Sequence, residues 1–233
     1  MVDHGKRFIN ASGTFSREQI YPMTEAVALS KQMATAKFDE TIEIHFRLGI
    51  DPRHSDQQVR STVLLPAGLG KKVRVLVFAE GEEARAAEAA GADIIADDEV
   101  LNRIQNENWM DFDAALATPA MMKKVGRVAR ILGPRGLMPN PKAGTVVQAD
   151  DLVRAVSELK AGRVEFRNDK TGNLHIPIGK ASFAPESLAE NATAVVNAVM
   201  GQKPTGVKGT YVKRIVVTST MGPGVRVEII GLG

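Results

Sequence analysis

The chain has 233 residues, enough for two ordinary domains, and a hydrophobic fraction of 44% that can furnish a proper core. It has no cysteine, which excludes disulfides, thiolate metal sites and cysteine nucleophiles, and no apolar run near the roughly 20 residues that a membrane-spanning helix needs. The net charge is only +3, but it is segregated: residues 80–113 hold eleven acids and two bases, whereas 114–149 and 191–227 hold six and five bases and no acid. Local positive fields of that kind attract phosphate polyanions.

The first residues, MVDHGKRFINASG, are polar and lack an apolar signal core. No secretory leader is expected, and the N-x-[ST] matches at Asn10 and Asn191 read as chance. Residues 21–38 predict a helix. Pro22 suits its first turn, Thr24 a cap, and Ala26, Val27, Ser30, Met33 and Ala34 recur at helical spacing. In 41–50, Ile42, Ile44, Phe46 and Leu48 alternate with Glu43, His45 and Arg47, the pattern of a half-buried strand. A polar loop, a short strand in VRSTVLL and the Pro/Gly-rich crossing LPAGLGKK follow.

The style then changes. KVRVLVFA reads as a continuous apolar strand, EGEEARAAEAAGA as an acidic helix, and DIIA as a short buried strand. DDEVLNRIQNENW predicts a second helix, FDAALATP a third strand and AMMKKVGRVARILG a third helix. Such alternation predicts a small parallel sheet covered by helices. The stretch RVARILGPRGLMPNPKAGTVV, 127–147, carries four bases and no acid, and its prolines and glycines predict an ordered surface loop.

From 150 the style reverts. A helix over 150–162 is stopped by Gly162, a hairpin is predicted over 163–180 about NDKTGN, and a helix opens at Pro185. Two strands around MGPG finish the chain. Neither outer segment closes a core alone. The expected class is therefore mixed, α+β with α/β: a discontinuous antiparallel domain over 1–67 and 160–233, and an inserted α/β domain over 68–159.

The competing reading is an α/β enzyme or nucleotide-binding protein using the insertion. The first βα turn, VFAEGEEAR, opposes it: a dinucleotide fingerprint needs three glycines, and here Gly81 stands alone beside Glu80, Glu82 and Glu83. GLGKK lacks the spacing and the hydroxyl of a phosphate loop. His4, His45, His54 and His175 have no metal-ligand spacing, and the acid pairs at Asp97/Asp98 and Asp150/Asp151 suit helix starts. No nucleophile or general base stands out. The sequence reads as a binder, not an enzyme, with no cofactor.

ILGPRGLMPNPKAGTV resembles the signature of the large-subunit ribosomal protein L-one family. ATAKFDETIE, LGIDPRHSDQQVR, WMDFDAALATP, EFRNDKTGNLHIPIGKASF and TSTMGPGVR are also similar to family blocks, in family order, over nearly the whole chain. The resemblance implies a first domain made from both chain ends and an inserted Rossmann-like, three-layer domain without cofactor. It implies binding to the stalk region of 23S rRNA in the large ribosomal subunit, contact with deacylated E-site tRNA, and repression of translation through the chain's own operon mRNA. It places the chain in the cytoplasm, on the ribosome and on no membrane.

The same resemblance maps the principal RNA face onto Lys37, Phe38 and Thr41 and onto Thr220, Met221 and Gly222, with Arg167, Lys170 and His175 as additions. Lys37 can neutralise phosphate, the threonines can offer hydroxyls to 2′-OH groups, and Gly222 leaves backbone uncovered. Phe38 alone would sit in a core by burial statistics, and TMGPG alone is a turn. Lys213 and Arg214 are basic but map onto no family contact. The basic 127–147 stretch belongs to the insertion, so the main rRNA affinity is expected elsewhere.

Overall fold

A computed structural model describes residues 5–229; His4 and Ile230, the end of the predicted last strand, lie outside them. In chain order the elements begin with α1 (Lys6–Ser12), α2 (Met23–Gln32), β1 (Thr41–Leu48) and β2 (Arg60–Leu64). Next come β3 (Val75–Phe78), α3 (Glu82–Ala89), β4 (Ile94–Ile95), α4 (Asp98–Glu107) and β5 (Ala114–Ala117). Then follow α5 (Met122–Val125), α6 (Ala129–Leu132), α7 (Ala149–Ala161), β6 (Arg163–Arg167) and β7 (Asn173–Lys180). The last are α8 (Pro185–Gly201), β8 (Val212–Ser219) and β9 (Val225–Val227). The fold is mixed α/β, with antiparallel and parallel sheets, and the chain divides into two compact units, 1–70 with 164–233, and 71–163.

In the first unit the sheet order is β7-β1-β8-β9, and β1 is antiparallel to both its neighbours. Alternation along β1 buries Ile42, Ile44, Phe46 and Leu48. Each such side chain contributes about 1.5–3 kcal/mol by burial. They share one core with Val27 of α2 and with Leu188, Val195 and Val199 of α8. The other sheet face stays open: Arg47, His175, Arg214 and Arg226 are exposed there. Asn191 is buried in α8; its Oδ1 accepts from the Ala67 N–H, and its Nδ2 donates to the carbonyls of Gly68 and Ile178. This pairs both amide protons and the amide oxygen, and anchors the end of the first chain passage to the helix.

The second unit has a parallel sheet of order β4-β3-β5, and an isolated parallel bridge sets Val146 beside Ala117. Leu76, Phe78, Ala115 and Ala117 meet Leu101, Ile104, Val125 and Leu132 on one face. Val75, Val77 and Leu116 meet Ala87, Leu152, Val156 and Leu159 on the other. The Asp97 carboxylate caps α4 by accepting from the Val100 N–H at 2.8 Å, as its place before a helix suggests.

Several local expectations need correction. The first predicted helix ends at Gln32 instead of 38, because the N–H of Ala36 goes to the Glu40 side chain and leaves the helical ladder. It is flanked by Pro22 with no side-chain cap, so Thr24 caps nothing. The predicted third helix of the insertion is broken into α5, a 3-10 turn beginning at Gly126, and α6. Most notably, β6 and β7 do not form a hairpin: β6 joins β2 in a separate two-stranded sheet, and β7 joins β1.

The reason lies in Asp169. Its carboxylate accepts from the N–H groups of Thr171 and Asn173, both at 2.8 Å, and from the Thr171 hydroxyl and Asn173 amide. Asn168 meanwhile exchanges bonds with Val59 beside β2: its Oδ1 accepts from the Val59 N–H and its own N–H donates to the Val59 carbonyl. The two strands are thus sent to different partners. Burial works to raise the Asp169 carboxyl, but the Asn173 N–H and the Thr171 hydroxyl and N–H outweigh it, holding the group well below the usual carboxylate range.

Candidate nucleic-acid interface

Two segments far apart in sequence meet at one end of the four-stranded sheet. The β1–β8 register pairs Ile42 with Ser219, which brings the 36–41 segment against the 219–222 turn. The Thr220 N–H donates to the Thr41 carbonyl and the Thr41 N–H to Thr220 Oγ1, each at 3.0 Å. Beneath them lies Glu40, only 1% exposed. Its Oε1 accepts from the Ala36 N–H at 2.8 Å and its Oε2 from the Met221 N–H at 2.9 Å. One buried side chain therefore fixes both segments, and such charge-assisted bonds are stronger than neutral ones.

On this platform Lys37, Phe38 and Met221 project outward. Phe38 is 55% and Met221 50% exposed, so neither is a core residue. Lys37 makes no ion pair among the described residues. Thr41 Oγ1 accepts from Lys180 Nζ at 2.9 Å, which leaves its proton free for an external acceptor. The Thr220 hydroxyl is already committed: it donates to the Thr41 carbonyl at 3.3 Å while accepting the Thr41 N–H. Only a lone pair remains for a ligand. Gly222 is needed for space, since a Cβ there would come within 2.4 Å of Ser219 Oγ, and Ser219 is buried.

The other sequence-derived residues lie elsewhere on the unit. His175 is on β7 opposite His45 of β1, and Lys170 is in the turn that precedes β7. Lys180, at the far end of β7, pairs with Thr41. His175 is thus about 17 Å along the strand from the first cluster. Arg167 ends β6, on the separate two-stranded sheet. The nine residues therefore form an array over one unit, with foci towards the two ends of the four-stranded sheet and Arg167 apart on the other sheet.

Sequence reasoning missed most of the second focus. His45 Nδ1 and His175 Nδ1 are 2.8 Å apart. Burial pulls His45 below the ordinary histidine range, His175 adds to this, and Glu43 opposes it. The register pairs Arg47 with Arg214 but Leu48 with Val212, so Lys213 is the extra residue of a bulge. Lys213 and Arg214 are consequently both exposed at successive positions. His45, Arg47, Asn173, His175, Lys213 and Arg214 line one groove. Arg47 is braced by donation to the Thr171 carbonyl and to Asn173 Oδ1. The only available sequence signal was the unmapped Lys213–Arg214 pair.

The second unit concentrates its acids and bases differently. Lys124 pairs with Glu80 and Asp98, and Arg74 with Asp111 and Asp113. Arg127, Arg130, Arg135 and Lys142 have exposed side chains and no ion pair among the described residues. Among the described residues no helix is long and apolar enough to cross a membrane.

Comparison with known proteins gives consistent results. Residues 30–223 match the ribosomal protein L1p/L10e family. The chain is 58% identical over 228 residues to the large ribosomal subunit protein uL1 of Chloroflexus aurantiacus, covering 98% of this chain and 96% of that one. It is 56% identical over 232 residues to the uL1 protein of Chloroflexus aggregans, covering 100% and 98%. To that of Thermosipho melanesiensis it is 55% identical over 228 residues, covering 98% and 97%.

Proposed function

Because the chain belongs to the ribosomal protein L1p/L10e family, we propose that its first unit binds the stalk region of 23S rRNA in the large ribosomal subunit. A ribosomal protein of this family is not an enzyme. In the proposed role the bound chain forms the mobile stalk near the E site and assists release of deacylated tRNA. Away from the ribosome it binds a similar structure in its own operon mRNA and represses translation. The working place is the cytoplasm.

The observation that carries the reading is the Glu40 clamp, which presents Lys37, Phe38 and Met221 to solvent on a fixed platform. Exposed apolar side chains held beside an unpaired cation suit a ribose–phosphate surface: the cation meets phosphate, and the apolar groups cover sugar or base edges. Lys37, Phe38, Thr41, Thr220, Met221 and Gly222 are the proposed principal contacts, and Arg167, Lys170 and His175 extend them. The layout of a discontinuous RNA-binding domain, 1–67 and 160–233, around an inserted Rossmann-like domain, 68–159, is part of the same proposal. The helices on both faces of the parallel sheet support it.

The test is binding to the rRNA stalk fragment across a salt series, with duplex DNA as competitor. Affinity that falls steeply with salt and prefers the RNA is expected; equal affinity for the DNA would defeat the proposal.

A further inference from the structure

The groove at the second focus has a composition the platform lacks. None of its lining residues is acidic, Arg47 is braced in place, and Lys213 and Arg214 have no ion-pair partner among the described residues. Its lining includes the His45–His175 contact. Of two nitrogens 2.8 Å apart, one must be the donor and the other a bare acceptor. The pair can therefore take up one proton on an outer Nε2 and keep its bond. A second added proton would put two donors face to face and break it.

The outer nitrogens are placed for that single charge. His45 Nε2 is 3.8 Å from Glu43, and His175 Nε2 is 3.7 Å from Asp169. In the singly charged pair both Nε2 atoms carry hydrogen and both face a carboxylate; in the neutral pair one bare lone pair faces a carboxylate. The surrounding charges are Glu43 and Arg47 from β1, Asp169 from the turn before β7, Lys213 and Arg214 from β8, and Arg226 of β9, opposite Val216.

We infer that this groove is a proton-linked phosphodiester subsite: a phosphate seated among Arg47, Lys213 and Arg214 recruits one proton to the His45–His175 pair. The inference rests on the RNA-binding reading above and adds to it a ligand class, a location and a dependence on pH. In the free chain burial disfavours a charge on His45. A phosphate anion offsets that cost, so binding takes up a proton and affinity is lost as pH rises.

The experiment uses the full chain and the rRNA stalk fragment at fixed salt, from about pH 5.5 to about pH 8, a window that brackets the ordinary histidine range. For the unaltered chain, affinity should fall about tenfold across it, the effect of about one linked proton per unit of pH. His175→Gln, at an exposed position, should bind with a nearly flat pH profile. Arg214→Gln should keep the pH dependence but lower the salt slope by about 0.7. Ring-nitrogen NMR should show the histidine titration moving to higher pH when RNA is bound. If RNA binds and the pH profile is the same with and without His175, the subsite is overturned while the RNA-binding reading stands. Absence of salt-sensitive RNA binding at every pH would overturn both.

Discussion

The buried carboxylate of Glu40 receives the N–H groups of Ala36 and Met221, so removing it leaves two partly buried donors without their partner. Leaving a buried donor unpaired costs about 1–3 kcal/mol. Glu40→Ala should lower stability by about 2–5 kcal/mol in urea unfolding and weaken rRNA binding more than Lys37→Ala does, although Glu40 faces no solvent. Gly222→Ala meets Ser219 Oγ at 2.4 Å, a hydroxyl with no hydrogen-bond partner among the described residues. Ser219→Ala should therefore cost little alone and relieve much of the Gly222→Ala defect, so a double-mutant cycle should show coupling well above the ~0.5 kcal/mol scatter of independent sites. Asp169 makes stability depend on acid. Its carboxyl is depressed in the folded chain, so its contribution is complete above about pH 4, the unfolded value, and is lost as pH falls towards its folded value. The stability gap between the unaltered chain and Asp169→Asn should be widest near neutrality and shrink in urea titrations below pH 4.

Among the elements, those with a clear period were legible and those decided by partners were not. Alternation over 41–48 identified β1 and its buried set, because half-burial writes itself into every second residue. The turn over 168–172 was also legible, but not the destination of the strands around it. Turn residues encode local geometry, whereas pairing of β6 with β2 depends on Asn168 meeting Val59 from more than a hundred positions away. Glu40 was hidden for a similar reason: a glutamate in AKFDET looks solvent-facing until the register brings Met221 over it. The His45–His175 contact likewise exists only through the β1–β7 register. On the helical run 122–132, Val125, Val128 and Leu132 are buried while Lys123, Arg127 and Arg130 lie outward. That strip belongs to the second unit. Neutralising Arg130, Arg135 and Lys142 together should leave affinity for the isolated rRNA fragment within about twofold, measured by filter binding, whereas Met221→Asp should reduce it at least tenfold.

At the scale of the whole molecule, β1 is an inner strand of its sheet, yet both of its partners lie on the far side of the inserted unit in sequence. The chain leaves a ribosome in the opposite order of need. At about 5–20 residues per second, β7 and β8 emerge on the order of ten seconds after β1, and until then TIEIHFRL has two bare edges and an uncovered apolar face. The parallel unit, whose strands are joined by local crossovers, is complete first. Nascent chains stalled short of residue 173 should therefore show the second unit resistant to protease while 41–48 is still cleaved or held by a chaperone. The same long-range register that assembles the Glu40 platform makes the first unit the last part of the molecule to be born folded.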